Sequence, residues 1–124
     1  MIVDDNQDIT AMVKKGLERL DKEYEVIPFD SGKKCLDYLN HRELPDLIIL
    51  DIMMPEMDGW ETVDKIKTHP RLEHIPVVFL TAKTDEYSKK RSQFVSLDYI
   101  EKPIKIPDLK HRIELVMKMA YNLD

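Results

Sequence analysis

Apolar residues along this chain follow two rhythms: short unbroken runs, and longer stretches in which they recur every three or four positions. The runs are Ile2-Val3, the strand-forming segment 24–29, Leu47-Ile48-Ile49-Leu50, Val77-Val78-Phe79-Leu80 and Tyr99-Ile100, and each predicts a strand. The runs 47–50 and 77–80 contain no polar residue, as expected of strands covered on both faces. Helical patterns lie between them. Ile9, Met12, Val13, Leu17 and Leu20 predict a first helix with one buried face. Cys35, Leu36 and Leu39 would face inward from a second helix capped by Ser31. Trp60, Val63 and Ile66 mark a third, stopped before Pro70. A polar fourth helix is expected over about 85–95. A fifth opens at Pro107, with Leu109, Ile113, Val116, Met117 and Ala120 inward.

Five strand–helix units in series predict an α/β fold, because each parallel crossover requires a helix and the helices then cover both faces of the sheet. The 124 residues suit one domain over 1–124. With 43% hydrophobic and 35% charged residues, the composition is that of a soluble globular protein. A net charge of −5 argues against direct nucleic-acid binding. No apolar stretch reaches the length of a membrane span, and the first residues lack the pattern of a signal peptide. The single cysteine, Cys35, has apolar neighbours and no internal disulfide partner, so a buried thiol and a cytoplasmic location are expected.

Ligands of open parallel sheets bind beyond the carboxyl ends of the strands. Those ends carry Asp4-Asp5, Asp51, Thr81 and Lys102-Pro103. Three carboxylates on one rim repel one another and suit a hard divalent cation such as Mg²⁺. A lysine beside them would hold phosphoryl oxygens, and an aspartate can attack phosphorus to form an aspartyl phosphate. Alone, each residue has an ordinary explanation: a strand end, a helix cap or a solvated charge. Five at successive strand ends point to phosphoryl transfer, in which a protein mainly positions groups and neutralises charge.

The segments Ile2-Val3-Asp4-Asp5-Asn6, Leu47 to Gly59 with Asp51-Ile52-Met53-Met54-Pro55 at its centre, Phe79-Leu80-Thr81-Ala82-Lys83, and Asp98 to Pro103 carry a further signal. Together they resemble the response-regulator receiver family of two-component phosphorelay systems, over essentially the whole chain. The resemblance implies a flavodoxin-like (βα)5 sandwich with strand order 2-1-3-4-5, and phosphorylation of Asp51 by a sensor histidine kinase or phosphotransfer protein. It implies Mg²⁺ bound by Asp5 and Asp51 through carboxylates, by Asp4 through water and by the Met53 carbonyl. It also implies phosphoryl contacts from Thr81 and Lys102, a cis Lys102–Pro103 bond, and a switch in which Thr81 and Tyr99 move together. The switched surface would comprise the fourth helix, fifth strand and fifth helix, with Lys90, Arg91, Glu101 and Arg112, and would receive an output partner or a second copy. Such a protein acts as a signalling phosphoacceptor, catalysing only its own phosphotransfer and autodephosphorylation.

Four features stand out against the family pattern. Only Met1, Ile2 and Val3 precede the acidic pair, where members usually have more apolar residues, so further residues before Met1 or a shortened start are expected. Val95-Ser96 replaces a Gly-Ala turn, and Lys105 stands where a capping hydroxyl is common. Met53 and Lys83 occupy the two variable positions that tune phosphoryl lifetime in the family. Of the remaining polar residues, His41, His69, His74 and His111 share no ligand spacing and read as surface residues, and Lys89-Lys90-Arg91 reads as a solvated helix face. Met53-Met54 and Met57 fit packing of the loop after Asp51 better than soft-metal binding. Three rival readings fit less well. An aspartate-nucleophile phosphatase would want a carboxylate where Met53 stands, and a flavin-phosphate domain would want a Ser/Thr/Gly-rich loop in place of Asp4-Asp5-Asn6. A receiver reduced to an interaction module would have lost members of the acidic set, which is complete here.

Overall fold

The structure, a computed structural model, describes residues 1–41 and 43–122. Its elements alternate: β1 (Ile2–Val3), α1 (Gln7–Leu20), β2 (Pro28–Phe29), α2 (Gly32–His41), β3 (Ile48–Leu50), α3 (Gly59–Lys67), β4 (Val77–Thr81), α4 (Glu86–Ser92), β5 (Asp98–Glu101) and α5 (Ile106–Tyr121). The strands form one parallel sheet in the order β2-β1-β3-β4-β5. This is the flavodoxin-like arrangement.

The apolar residues of the sheet divide by face. Val3, Ile48, Leu50, Val77 and Phe79 join Cys35, Leu39, Val63 and Ile66 in the core beneath α2 and α3. Ile2, Ile49, Val78, Leu80 and Ile100 join Val13, Leu17, Leu109, Ile113 and Val116 beneath α1 and α5. Burial on both faces is why the central strands are apolar up to Thr81, which ends β4 at the carboxyl edge. Helix starts are set by side chains: Asn6 accepts from the Asp8 and Ile9 N–H groups, and Asp58 and Glu61 form a capping box on α3. Lys105 contributes no side-chain cap to α5, as its chemistry predicts, and Pro107 fixes that first turn instead.

The pairing register then positions the functional edge. Val3 lies beside Leu50, Leu50 beside Phe79, and Phe79 beside Tyr99. The next residues of β1 and β3, Asp4 and Asp51, are therefore lateral neighbours.

Several elements differ from the sequence reading. Only Pro28 and Phe29 of the expected strand 24–29 pair in the sheet. Val26 is taken up by α1 instead: its N–H donates to Glu18 and its carbonyl accepts from the Lys14 ammonium, both at 2.8 Å. α4 stops at Ser92 because Gln93, Phe94 and Val95 donate three residues back, to Lys90, Arg91 and Ser92, in a tight final turn. Met12, Leu20 and Ala120 face solvent, since α1 and α5 pack mainly through Val13, Leu17, Leu109, Ile113 and Val116. The four histidines are exposed and Cys35 is buried, as expected.

α2 and α3 approach closely where Gly32 meets Thr62. A Cβ on Gly32 would lie 2.1 Å from Thr62 Oγ1, and that hydroxyl is held by donating to the Asp58 carbonyl at 2.8 Å. Gly32→Ala should destabilise the fold by about 1–3 kcal/mol in urea denaturation, despite the gain of up to ~1 kcal/mol that alanine brings to a helix. Adding Thr62→Ala should recover part of the loss, so equal stability of Gly32→Ala and wild type would refute this packing account.

Candidate functional site

The carboxyl edge collects the residues that the strand ends predicted. Asp4 and Asp51 are almost wholly buried, at 2% and 5% exposure, while Asp5 stands exposed at the rim. One carboxylate oxygen from each of the three lies within 4.8 Å of the others, which fits a single hard cation shared by oxygen ligands. The Lys102 ammonium reaches in from the end of β5, 2.6 Å from Asp4 Oδ2 and 3.2 Å from Asp51 Oδ2. The cis peptide bond Lys102–Pro103 follows directly.

Burial dominates the electrostatics of Asp4. It pushes the carboxyl above the usual aspartate range, against the Lys102 ammonium and the Asn6 N–H, which both favour the charged form. Burial works on Lys102 in the opposite sense, but its contacts with Asp4 and Asp51 prevail and its pKa is raised. The lysine is therefore a firm cation across the physiological range.

The loop after β3 is built around the Asp51 backbone. Its Met53 N–H lies 3.4 Å from Asp51 Oδ1, and the Met53 side chain is exposed at the rim. Gly59 donates to the Ile52 carbonyl at 2.7 Å, and a Cβ there would lie 2.4 Å from the Asp51 carbonyl oxygen. No residue with a side chain would let the start of α3 come so near the Asp51 carbonyl. Glu56 closes the same loop with a left-handed φ of 66°, a conformation that costs a side-chain-bearing residue on the order of 1–2 kcal/mol.

Thr81 is fully buried at the end of β4, and its hydroxyl accepts from the Lys83 N–H at 3.2 Å. Tyr99 is half-buried and donates its hydroxyl to the Lys83 carbonyl, so both residues expected to switch grip the same short loop. The Lys83 ammonium pairs with Asp85 at 3.1 Å. The Asp85 carboxyl falls to about 2, chiefly through the Ser88 N–H and hydroxyl, with Lys83 contributing.

The structure thus brings Asp4, Asp5, Asp51, Thr81 and Lys102 to one edge, with Met53, Lys83 and Tyr99 around it. Sequence reasoning missed the contact of Lys102 with Asp4, the turn at Glu56 and the closeness of Gly59. The Asp58-Gly59 pair was a turn signal that could have pointed to the last. It also read Lys89-Lys90-Arg91 as a solvated helix face, and Lys90 and Arg91 are indeed exposed, but it missed that Lys89 pairs with Glu101 at 2.6 Å and that Arg91 lies 4.3 Å above the Trp60 ring.

Lys102→Gln would leave two buried carboxylates facing each other. It should cost about 1–3 kcal/mol in urea unfolding at pH 7, the scale of an uncompensated, partly buried charge. Because the folded-state pKa of Asp4 lies above its unfolded value, the folded chain takes up the proton first and stability rises as pH falls through that raised value. The deficit of the variant should therefore shrink at pH 5, and an equal or larger deficit there would contradict this charge balance.

Comparison with known proteins agrees with this fold. The model of the response regulator receiver domain matches residues 1–114. A Vibrio cholerae protein named "Probable cyclic di-GMP phosphodiesterase" is 40% identical over 114 residues, covering 91% of this chain but 25% of that protein. Other relatives are named as transcriptional regulators and as sensor histidine kinases, and the chain spans 48% and 12% of two of these. Among solved structures, the N-terminal domain of a response regulator receiver protein from Methanoculleus marisnigri is 42% identical, with a TM-score of 0.74 and coverage of 93% of this chain and 92% of that one. A CheY-like receiver domain from Methanospirillum hungatei is 35% identical, with a TM-score of 0.83 and coverage of 99% and 96%. With the family model matching residues 1–114 and the sheet ordered 2-1-3-4-5, the chain belongs to the response regulator receiver family.

Proposed function

We propose that residues 1–124 act as one receiver domain that accepts a phosphoryl group on Asp51, in the cytoplasm, from a phosphohistidine-bearing kinase or phosphotransfer protein. The observation that carries this reading is the buried Asp51 carboxylate beside Asp4, with the Lys102 ammonium within bonding distance of both. No helix among the described residues is long and apolar enough to cross a membrane, which is compatible with that location.

In this reading Asp51 attacks the phosphorus through a carboxylate oxygen. The new O–P bond forms as the donor's N–P bond breaks, and the donor histidine leaves with that electron pair. Lys102 shifts from carboxylates to phosphoryl oxygens, a point charge moving a short distance toward growing negative charge. The Thr81 hydroxyl rotates to donate to another of those oxygens. Asp4, Asp5, Asp51 and the Met53 carbonyl would hold Mg²⁺, which when bound supplies charge neutralisation of the transferring group. Met53 and Lys83 would border the approach of the hydrolytic water, and their long side chains would restrict it and prolong the phosphorylated state.

Phosphorylation would bias the surface of α4, β5 and α5 toward an output partner or a second copy. The shared grip of Thr81 and Tyr99 on Lys83 supports this, because moving the threonine hydroxyl removes one of the two holds on that loop. The shift can be no larger than the difference in affinity of the phosphoryl group for the two states.

Treatment with acetyl phosphate and Mg²⁺ should add one phosphoryl group by intact mass, and Asp51→Asn or a chelator should abolish it. Labelling of Asp51→Asn equal to wild type would sink the assignment. Thr81→Ala should still accept the group, while beryllofluoride-induced amide shifts, which in wild type reach α5, should stay within the acidic edge. Shifts spreading equally far in both chains would rule out the threonine as the transmitting group.

A further inference from the structure

Four of the five helices hold the sheet through apolar side chains. α1 buries Val13 and Leu17, α2 buries Cys35 and Leu39, α3 buries Val63 and Ile66, and α5 buries Leu109, Ile113 and Val116. α4 has no such anchor. Its seven residues bury Ser88 and Ser92, and Ser96 follows in half-buried position on the same side one turn on. Two apolar side chains of the segment point outward instead, Tyr87 72% and Phe94 88% exposed, and one, the half-buried Val95 just past the helix, packs against the core.

The buried serines do not tie α4 to the sheet. Ser88 Oγ donates to Asp85 Oδ1 at 2.9 Å, Ser92 Oγ to the Lys89 carbonyl at 2.7 Å, and Ser96 Oγ to the Ser92 carbonyl at 2.8 Å. All three bonds stay inside the α4 segment. A cleft of about 370 Å³ runs along the seam between α4 and β5, bordered by Lys89, Ser92, Tyr99 and Glu101. What reaches across is charge: the Lys89 ammonium to Glu101 on β5 at 2.6 Å, and the Arg91 guanidinium to the Trp60 ring on α3 at 4.3 Å. Burial of apolar surface normally supplies most of a helix's attachment, and short helices are marginal without it. Local opening is drawn from such segments.

We propose that α4 is latched electrostatically and releases from the sheet as a unit, well below the free energy of global unfolding, with Lys89 and Arg91 as its two latches. The helix keeps its own caps when it leaves, because the Asp85–Ser88 and serine–carbonyl bonds travel with it. Release uncovers the Trp60 ring, which packs edge-on against Phe79 with centroids 5.1 Å apart, and Phe79 in turn lies 6.2 Å from Tyr99. A contiguous row of rings therefore runs from the Arg91 latch to the residue that holds the Lys83 loop. The helix is gated at both ends of that row, and ionic strength becomes a control on the same face that would receive a partner. This inference goes beyond the phosphoacceptor reading and does not require it.

Amide hydrogen exchange on the full chain tests it, with α1 and α3 as internal references. The amides of α4 should exchange much faster than those of the references, with little dependence on added urea. Raising salt from about 0.1 M to about 1 M shortens the screening length from about 10 Å to about 3 Å and should speed α4 exchange further, leaving the references unchanged. Lys89→Gln and Arg91→Gln should each raise α4 exchange roughly two- to fivefold, the scale of an exposed ion pair or cation–ring contact. The double variant should lose most of the salt response, and Arg91→Gln should shift the emission of Trp60, the sole tryptophan. Exchange of α4 only with the urea dependence of global unfolding, or unchanged by both substitutions, would overturn the proposal. Asp51 labelling of the same variants separates the two readings: normal labelling with an unaltered α4 defeats the latch alone.

Discussion

Two carboxylates that have lost their water cannot sit side by side without a cation, and the carboxyl edge of this sheet is organised around that constraint. The register of β1 against β3 makes Asp4 and Asp51 neighbours, and the cores on both faces leave them almost no solvent. Desolvation pushes the Asp4 carboxyl toward its neutral form. The Lys102 ammonium prevents a full retreat to the neutral form by bridging the pair, while Asp5, exposed at the rim, leaves room for a second positive charge. The edge is therefore held poised: compensated enough to fold, and still short of positive charge, as an acidic cluster that could hold a metal ion must be.

The rest of the fold divides into parts that keep this edge rigid and a part that does not. Gly59 lets α3 begin against the Asp51 carbonyl, and the capping box of Asp58 and Glu61 fixes that approach. Cys35, Leu39, Val63 and Ile66 then bury α2 and α3 firmly beneath it. On the other side of the site, Thr81 and Tyr99 meet at Lys83, whose loop leads into a helix with serines where its neighbours have aliphatics. A rigid acidic edge thus lies next to a helix with few apolar anchors, so strain introduced at the edge has somewhere else to go.

The order of the elements and the chemistry of the edge were legible in the sequence for one reason. Strands buried on both faces must be wholly apolar, so Leu47–Leu50 and Val77–Leu80 announce themselves, and the polar residues directly after them are then the carboxyl edge. Edge elements carry weaker signals. The segment 24–27 has strand-forming residues, yet Lys14 and Glu18 satisfy Val26 from the side, and no local pattern reveals that competition. Met12 and Leu20 match the helical spacing of Val13 and Leu17, but periodicity does not tell how wide a stripe the neighbouring helix covers. The basic run 89–91 looked solvated because its partners, Glu101 and Trp60, lie on other elements. Long-range pairing is the information a local pattern lacks.

The bridge between Asp4 and Lys102 joins residues 98 positions apart, and the strand that delivers the lysine is the last of the sheet and lies at its margin. Contacts of such separation form late, since the intervening chain must first be ordered. During synthesis, Asp51 leads Lys102 by 51 residues, or roughly 3–10 s at a typical ~5–20 residues per second. Throughout that interval the nascent chain carries its acidic residues without the ammonium that completes the pocket. The pocket is therefore complete only once β5, the last strand of the sheet, has docked.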